Sequence, residues 1–450
     1  MRSSLRLAQL VVPATLGLTA CRFSYELLDR ANGSFGGAGP DGLAGAGPGA
    51  GATSSDGFAG AGAGSSGGSG TGGSAGGGSS GGTSSGGAGS GGTSSGGSST
   101  GGSGSGGTGS GGSGGTLVID YAVTTTADED DAGATVASPG QSGLSLREAI
   151  KLANSAPGGQ TIGLNPGSTL TMASVLPIIT DAFTLSGEGA ILDFSLASTA
   201  VPCIHGDASD VSIRDVEVAG CTGEPIYLTD VAATGLEVLG CYVHDCGQPV
   251  SVFGVGSLVA DNVIERSGAA GLSIFGPSAQ VRDNRIVDAD SNGIYLSGAA
   301  SGALLVGNLV VRSDVGISLG NLSGATFWFN TVVDSGGFGI SIGLGSGIDF
   351  RNNIVTGSGT WGLNAADNRF DSITHNLLFQ NTSGDCNSCT PGAPYLTSDP
   401  LYVNAAADDY SLQASSPAID AGVDVGADRN GSGAAAFDGA APDLGHIEVK

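Results

Sequence analysis

The apolar and polar positions of this chain recur with a period of about 22 residues. Asn stands two places before an apolar residue in Asn262/Ile264, Asn284/Ile286, Asn308/Val310, Asn330/Val332, Asn352/Ile354 and Asn376/Leu378. Some ten residues after each Asn comes Gly-apolar, as in Gly271-Leu272, Gly293-Ile294, Gly316-Ile317, Gly339-Ile340 and Gly362-Leu363. Two earlier copies, centred on Val216 and Cys241, keep the spacing without the Asn. Stretches such as Gly293-Ile294-Tyr295-Leu296 alternate in polarity and are bounded by Gly, Ser and Asn, which predicts short strands and turns rather than helices. A unit this short cannot enclose a core alone, but copies stacked at about 4.8 Å bury their inward residues as continuous ladders. Val218, Val243, Ile264, Ile286, Val310, Val332, Ile354 and Leu378 are predicted to form one ladder. Asn262, Asn284, Asn308, Asn330, Asn352 and Asn376 are predicted to form a second, structural one, each amide bonding to neighbouring rungs.

One segment reads as a helix. Ser145-Leu146-Arg147-Glu148-Ala149-Ile150-Lys151-Leu152-Ala153-Asn154 opens with a capping box, Ser145 to Glu148, and ends near Asn154 and Pro157. Its apolar positions Leu146, Ala149, Ile150 and Ala153 would cover the open end of a stack and blunt its edge strands.

On these repeats the sequence resembles the right-handed parallel β-helix proteins of the pectin-lyase-like superfamily. The 145–154 segment is similar to the Cys-Ser-Leu-Arg-Glu-Ala cap of bacterial surface β-helices, with Leu144 in place of the Cys. Asp399-Pro400-Leu401-Tyr402-Val403, Ser416-Pro417-Ala418-Ile419-Asp420-Ala421-Gly422 and Asp443-Leu444-Gly445-His446 resemble the closing, choice-of-anchor-type module of the same proteins. The resemblance implies an all-β solenoid, with a cap at 116–160, repeats at 161–385 and a closing module at 386–450. It specifies architecture and says little about function.

Composition places this domain. Residues 1–20 carry Arg2, Arg6 and an apolar run from Leu7 to Leu18, the layout of a secretory signal. Cys21 follows directly, and by resemblance to bacterial lipoproteins it would be the lipidated first residue of a mature N-terminus, 21–32. Each buried methylene of such an anchor contributes ~0.8 kcal/mol. Arg22 stands where an inner-membrane retention signal would carry Asp, so the resemblance favours the outer membrane or cell surface. Residues 33–115 are almost entirely Gly, Ser, Ala and Thr and cannot bury a core, which predicts a disordered tether. Roughly 80 such residues span on the order of 50 Å. The 41 Asp+Glu against 15 Lys+Arg leave a net charge of -26, which excludes unaided nucleic-acid binding.

Seven cysteines fit an oxidising compartment, and six remain beyond Cys21. Cys221 and Cys246 fall at equivalent places in adjacent rungs and are expected to pair, and Cys386 with Cys389 in a local loop. Cys203 and Cys241 are left unassigned.

Candidate chemistry lies in outward columns. Asp215, Asp261 and Asp283 directly precede the Asn position, and two carboxylates one rung apart repel unless a proton or cation intervenes. Oxygen ligands at that density suit Ca²⁺. The resemblance to Ca²⁺-dependent polysaccharide lyases implies these Asp as ligands, with Arg285 or Arg282 as the base. A second column, Asp245, Arg266, Asp288, Arg312 and Asp334, reads as a structural charge ladder. The chain holds four His, none paired, and no His-Glu-x-x-His, which speaks against a metal hydrolase. Two readings follow. The first is a surface-tethered β-helix that binds glycans or surface polymers in an adhesive or structural role. The second is a Ca²⁺-dependent lyase, or related enzyme, acting on an acidic polysaccharide.

Overall fold

The computed structural model describes residues 117–365, 369–433 and 436–449. The signal segment, Cys21 and the Gly/Ser tether lie outside the described residues. Within them the repeats form a coil of parallel strands. Each rung lays one strand in a nine-stranded sheet and two in a larger one, as in Leu272–Ile274, Gln280–Arg282 and Arg285–Val287. The next rung repeats them one layer up at Asn292–Leu296, Leu304–Val306 and Leu309–Val311, paired residue for residue.

The core is three inward ladders, one per strand of the rung. Leu272, Ile294, Ile317, Ile340 and Leu363 stack in the nine-stranded sheet. Val238, Val259, Val281, Leu305, Phe327 and Phe350 stack opposite. The third ladder runs Val218, Val243, Ile264, Ile286, Val310, Val332, Val355, Leu378. One predicted member is therefore displaced. Val355, not Ile354, continues the stack, and Ile354 turns outward beneath the C-terminal segment.

The Asn ladder shows the same one-residue slip. Each buried amide donates to the carbonyl of Val238, Val259, Val281, Leu305, Phe327 or Phe350 below it, and its Oδ1 accepts the backbone N–H of the preceding turn. The members are Asn262, Asn284, Asn308, Asn330, Asn353 and Asn376. Asn352, predicted to belong, instead stands at φ +62° and bonds through its side chain to Val423. Two adjacent Asn make the phase ambiguous in sequence, and the register of Val332 on Val355 resolves it. An intact bond contributes about 1 kcal/mol, and a buried amide stripped of its partners costs more.

The helix, Leu146–Ser155, covers the first rung. Ser145 accepts from the Glu148 N–H while Glu148 accepts from the Ser145 N–H, which completes the capping box. Leu146, Ala149, Ile150 and Ala153 are buried, and Arg147 ties the helix to Asp128 at 2.8 Å and to the Ser174 and Val175 carbonyls. From Pro400 onward the chain runs back along the flank of the coil rather than across its end. A hairpin of Tyr402–Asn404 with Asp409–Leu412 opens this strap. Tyr410 packs on Val287, Leu309, Val311 and Val333, while Leu412, Ala418 and Leu444 pack on Ile354 and Leu377.

Disulfides join Cys203 to Cys221 and Cys386 to Cys389. The expected Cys221–Cys246 pair is thus not formed. The two do sit one above the other, with the Gly247 N–H on the Cys221 carbonyl at 2.7 Å, but Cys203 reaches Cys221 across the corner of the coil. Cys241 and Cys246 are buried thiols, and burial pushes them up to about 12 and about 11, which leaves them protonated and inert.

Candidate functional site

The acidic columns owe their composition to the backbone. Asp215, Asp261 and Asp283 all have φ between +54° and +58°, and Gly240, Gly307, Phe329 and Asn352 take the same left-handed turn in other rungs. Asp245, Arg266, Asp288, Arg312 and Asp334 do so at the next corner. Only Gly, and less readily Asn and Asp, enter this region at low cost, so a column of Asp follows from turn geometry alone.

The geometry does not gather the predicted Ca²⁺ ligands. Gly240 occupies the rung between Asp215 and Asp261, and among the described residues no group of three His, Cys, Asp or Glu converges. Asp283 lies under the strap beside Arg429, whose guanidinium sits 4.4 Å over the Phe329 ring. Burial pushes the Asp283 carboxyl up, Arg429 pulls it down and Asp261 pushes it up again. These residues do not fit a Ca²⁺ ion. Arg285 is engaged by Glu265 at 3.0 Å and Asp408 at 3.7 Å, while Arg282 buries its Nε without a hydrogen-bond partner. Arg285 lines a cavity of about 320 Å³ with Asp283, Asp408, Asp409 and His446, and there its charge is already held by Glu265 and Asp408, which disfavours loss of the proton that a base would need.

The second column pairs across rungs, Arg266 with Asp245 at 2.8 Å and Arg312 with Asp288 at 2.7 Å. Arg312 also binds Asp408 of the strap. The network continues through His244, which contacts Glu217 at 3.1 Å and Asp245 at 2.6 Å and stacks on Tyr242. Glu188, Asp215, Glu217 and Tyr242 border an open depression of about 520 Å³ beside it. Arg266, Arg285, Arg312 and His244 on this flank are thus each answered by carboxylates of the chain's own.

The nine-stranded sheet presents the opposite case. Its outward register runs His205, Tyr227, Ser251, Ser273, Tyr295. Phe253 and Phe275 stand two residues further along their rungs, above Ser251 and Ser273, which are buried. The result is an unbroken row of five half-buried rings on five successive rungs. Centroids are 5.3 Å apart for His205–Tyr227, 5.6 Å for Tyr227–Phe253, 4.2 Å for Phe253–Phe275 and 6.1 Å for Phe275–Tyr295. The register then passes to Ser318, Ser341, Asn364 and Asn387. Asn364 donates to Ser341 and accepts from Asn387 at 2.9 Å. At the lower end the His205 Nε2 meets the Thr229 hydroxyl at 3.1 Å, and burial holds the imidazole below its ordinary value. Burial also pushes the Glu224 carboxyl and the Tyr227 phenol up, the latter with help from Glu224.

Sequence reasoning missed this row because it followed the Asn and the charges. The signal was present: in Gly293-Ile294-Tyr295-Leu296 the residue between the two inward positions must face outward, and the equivalent stretches carry Tyr227 and, two residues further along, Phe253 and Phe275.

The family model described as a right-handed β-helix region matches residues 201–332 and, in an overlapping match, 234–382. The coil is a right-handed parallel β-helix. No curated protein matches the sequence. Among solved structures the β-helix is similar to the A-module of Azotobacter vinelandii mannuronan C-5 epimerase AlgE4, at 14% identity and TM-score 0.45, covering 60% of this chain and 80% of that one. It is similar to pectate lyase Pel9A at 15% identity and TM-score 0.43, covering 74% and 98%. It is also similar to the catalytic unit of a GH87 α-1,3-glucanase from Streptomyces thermodiastaticus strain HF3-3 at 14% identity and TM-score 0.39, covering 61% and 69%. Likeness at this level concerns the path of the backbone and transfers no residue role.

Proposed function

We propose that the β-helix is a polysaccharide-binding domain of a surface lipoprotein, anchored through Cys21 and held off the membrane by the Gly/Ser tether. The observation that supports it is the ring row from His205 to Tyr295. Phe253 and Phe275 stack face to face and are flanked by Tyr227 and Tyr295, so ring edges line the outward side as a continuous apolar strip along which an extended sugar chain can lie, and half-buried rings lose little freedom on binding. The competing reading as a Ca²⁺-dependent lyase has less support, since Asp283 and Arg285 lie beneath or against the strap and their charges are met within the chain. Affinity electrophoresis of the full chain through gels containing soluble polysaccharides tests the proposal. Retention that falls when Phe253 and Phe275 are both replaced by Ala is expected. Retention indifferent to those rings would overturn it.

A further inference from the structure

We infer that the ligand of the ring face is a neutral polysaccharide rather than a uronate chain. This rests on the reading of that face as a glycan site and narrows it. None of the nine strands of the sheet carries a Lys or Arg. The arginines of the coil lie off these strands: Arg214, Arg282, Arg285 and Arg351 on strands of the larger sheet, Arg266 and Arg312 in turns, and Arg369 directly before the larger-sheet strand Phe370–Thr374, where its carbonyl accepts the Ile348 N–H. The charges nearest the row are carboxylates. Asp207 lies two residues beyond His205, with its Oδ1 3.4 Å from the Thr229 hydroxyl, and Glu224 acts on Tyr227. At the far end of the face Asp385 lies on the last strand.

A uronate brings one negative charge per sugar. On this face it would find no guanidinium to receive a carboxylate, and it would approach a chain of net charge -26. Single-stranded nucleic acid also stacks on such rows, but only beside a cationic groove that tracks its phosphates, and the nine strands of this face carry no Lys or Arg among the described residues. A neutral chain meets neither obstacle. Its hydroxyls can both donate and accept, and the register above the rings offers partners of the same kind in Ser318, Ser341, Asn364 and Asn387. From His205 to Asn387 the register climbs eight rungs at about 4.8 Å, or roughly 38 Å, room for an extended oligosaccharide lying along the coil axis.

The test compares the full chain on neutral β-glucan and unsubstituted xylan with alginate and polygalacturonate, by affinity electrophoresis at low and high salt. Expected is retention on a neutral chain, unchanged by salt, that drops at least tenfold in both the Phe253→Ala/Phe275→Ala and the Tyr295→Ala variants, while far-ultraviolet dichroism and melting stay as in the parent. Salt-sensitive retention on uronates that is lost with the same rings would overturn the neutral-ligand inference and leave the glycan face standing. Retention on any polymer that ignores the rings would overturn both. So would a dimer in sedimentation that dissociates in Phe253→Ala, since a second copy of the chain would then be the occupant.

Discussion

The strap-covered flank and the nine-stranded sheet divide the molecule's chemistry unequally. The flank holds most of the coil's arginines and a dense set of carboxylates, which the sequence singles out at once. Yet Arg266, Arg285 and Arg312 are paired with Asp245, Glu265, Asp288 and Asp408, so the charges fasten rungs to one another and the strap to the coil. The sheet bears almost no charge and keeps its rings half open. A group already satisfied within the fold has little left for a ligand, whereas an aromatic face gains by being covered. Density of charge is therefore a poor guide to where this molecule meets another.

The sharpest way to break the contrast is to remove Tyr410, the buried ring by which the strap packs on the coil. Tyr410→Ala should cost about 3–5 kcal/mol and release the strap to limited proteolysis, while polysaccharide retention by the sheet persists. If retention disappears with the strap, the two regions are not independent. Asking whether the strap responds to acid is a smaller perturbation. Burial holds the His446 imidazole down to about 3, far below its ordinary 6.5, where it faces Thr331, Arg429, Arg285 and Asp409. A depressed histidine means the unfolded chain binds the proton, so this contribution is complete above pH 6.5 and is lost toward pH 3. Asp283, Asp443 and Glu448, raised by burial, act in the opposite sense over the acidic part of that range. The comparison with His446→Asn isolates the histidine: relative to the variant, the parent should lose up to about 1.4 kcal/mol per pH unit below 6.5 in urea melts.

Replacing Phe253 and Phe275 by Ala should reverse the pattern of Tyr410→Ala, lowering binding at least tenfold with little loss of stability. Smallest of all is Arg266→Ala. With both side chains of its pair about half exposed, the change should cost roughly 0.2–1 kcal/mol, less in high salt, and leave binding untouched. A loss comparable with that of Tyr410→Ala would mean the charge ladder does more than join rungs.

The architecture was legible because it is periodic. A residue that recurs every rung reports a shared backbone environment, and the Asn, Ile and Val positions do so without reference to anything distant. The capping helix was legible for a related reason, since the capping box is a local bond between Ser145 and Glu148. Features that depend on contact between remote segments were not. Nothing near Asn352 in sequence announces Val423, and nothing near Cys221 distinguishes Cys246 one rung away from Cys203 around the corner. The departures from pattern were the overlooked clue. Gly307, Phe329 and Asn352 replace Asp where the strap lies against the turn column, with Arg429 on Phe329 and Val423 on Asn352.

The amide ladder also governs how such a rod can change length. The step across the Asn turn is the same from Arg282 to Arg285, Val306 to Leu309 and Trp328 to Thr331, because one side chain must span it. The stretch after the ring-bearing sheet is not held so: Ile274 to Gln280 is shorter than Leu296 to Leu304. Insertions are absorbed at that corner while the Asn corner sets the gauge. A duplicated rung that keeps its Asn in phase would extend the rod and its ligand track together, and one out of phase would break the chain of amides on both sides of the splice.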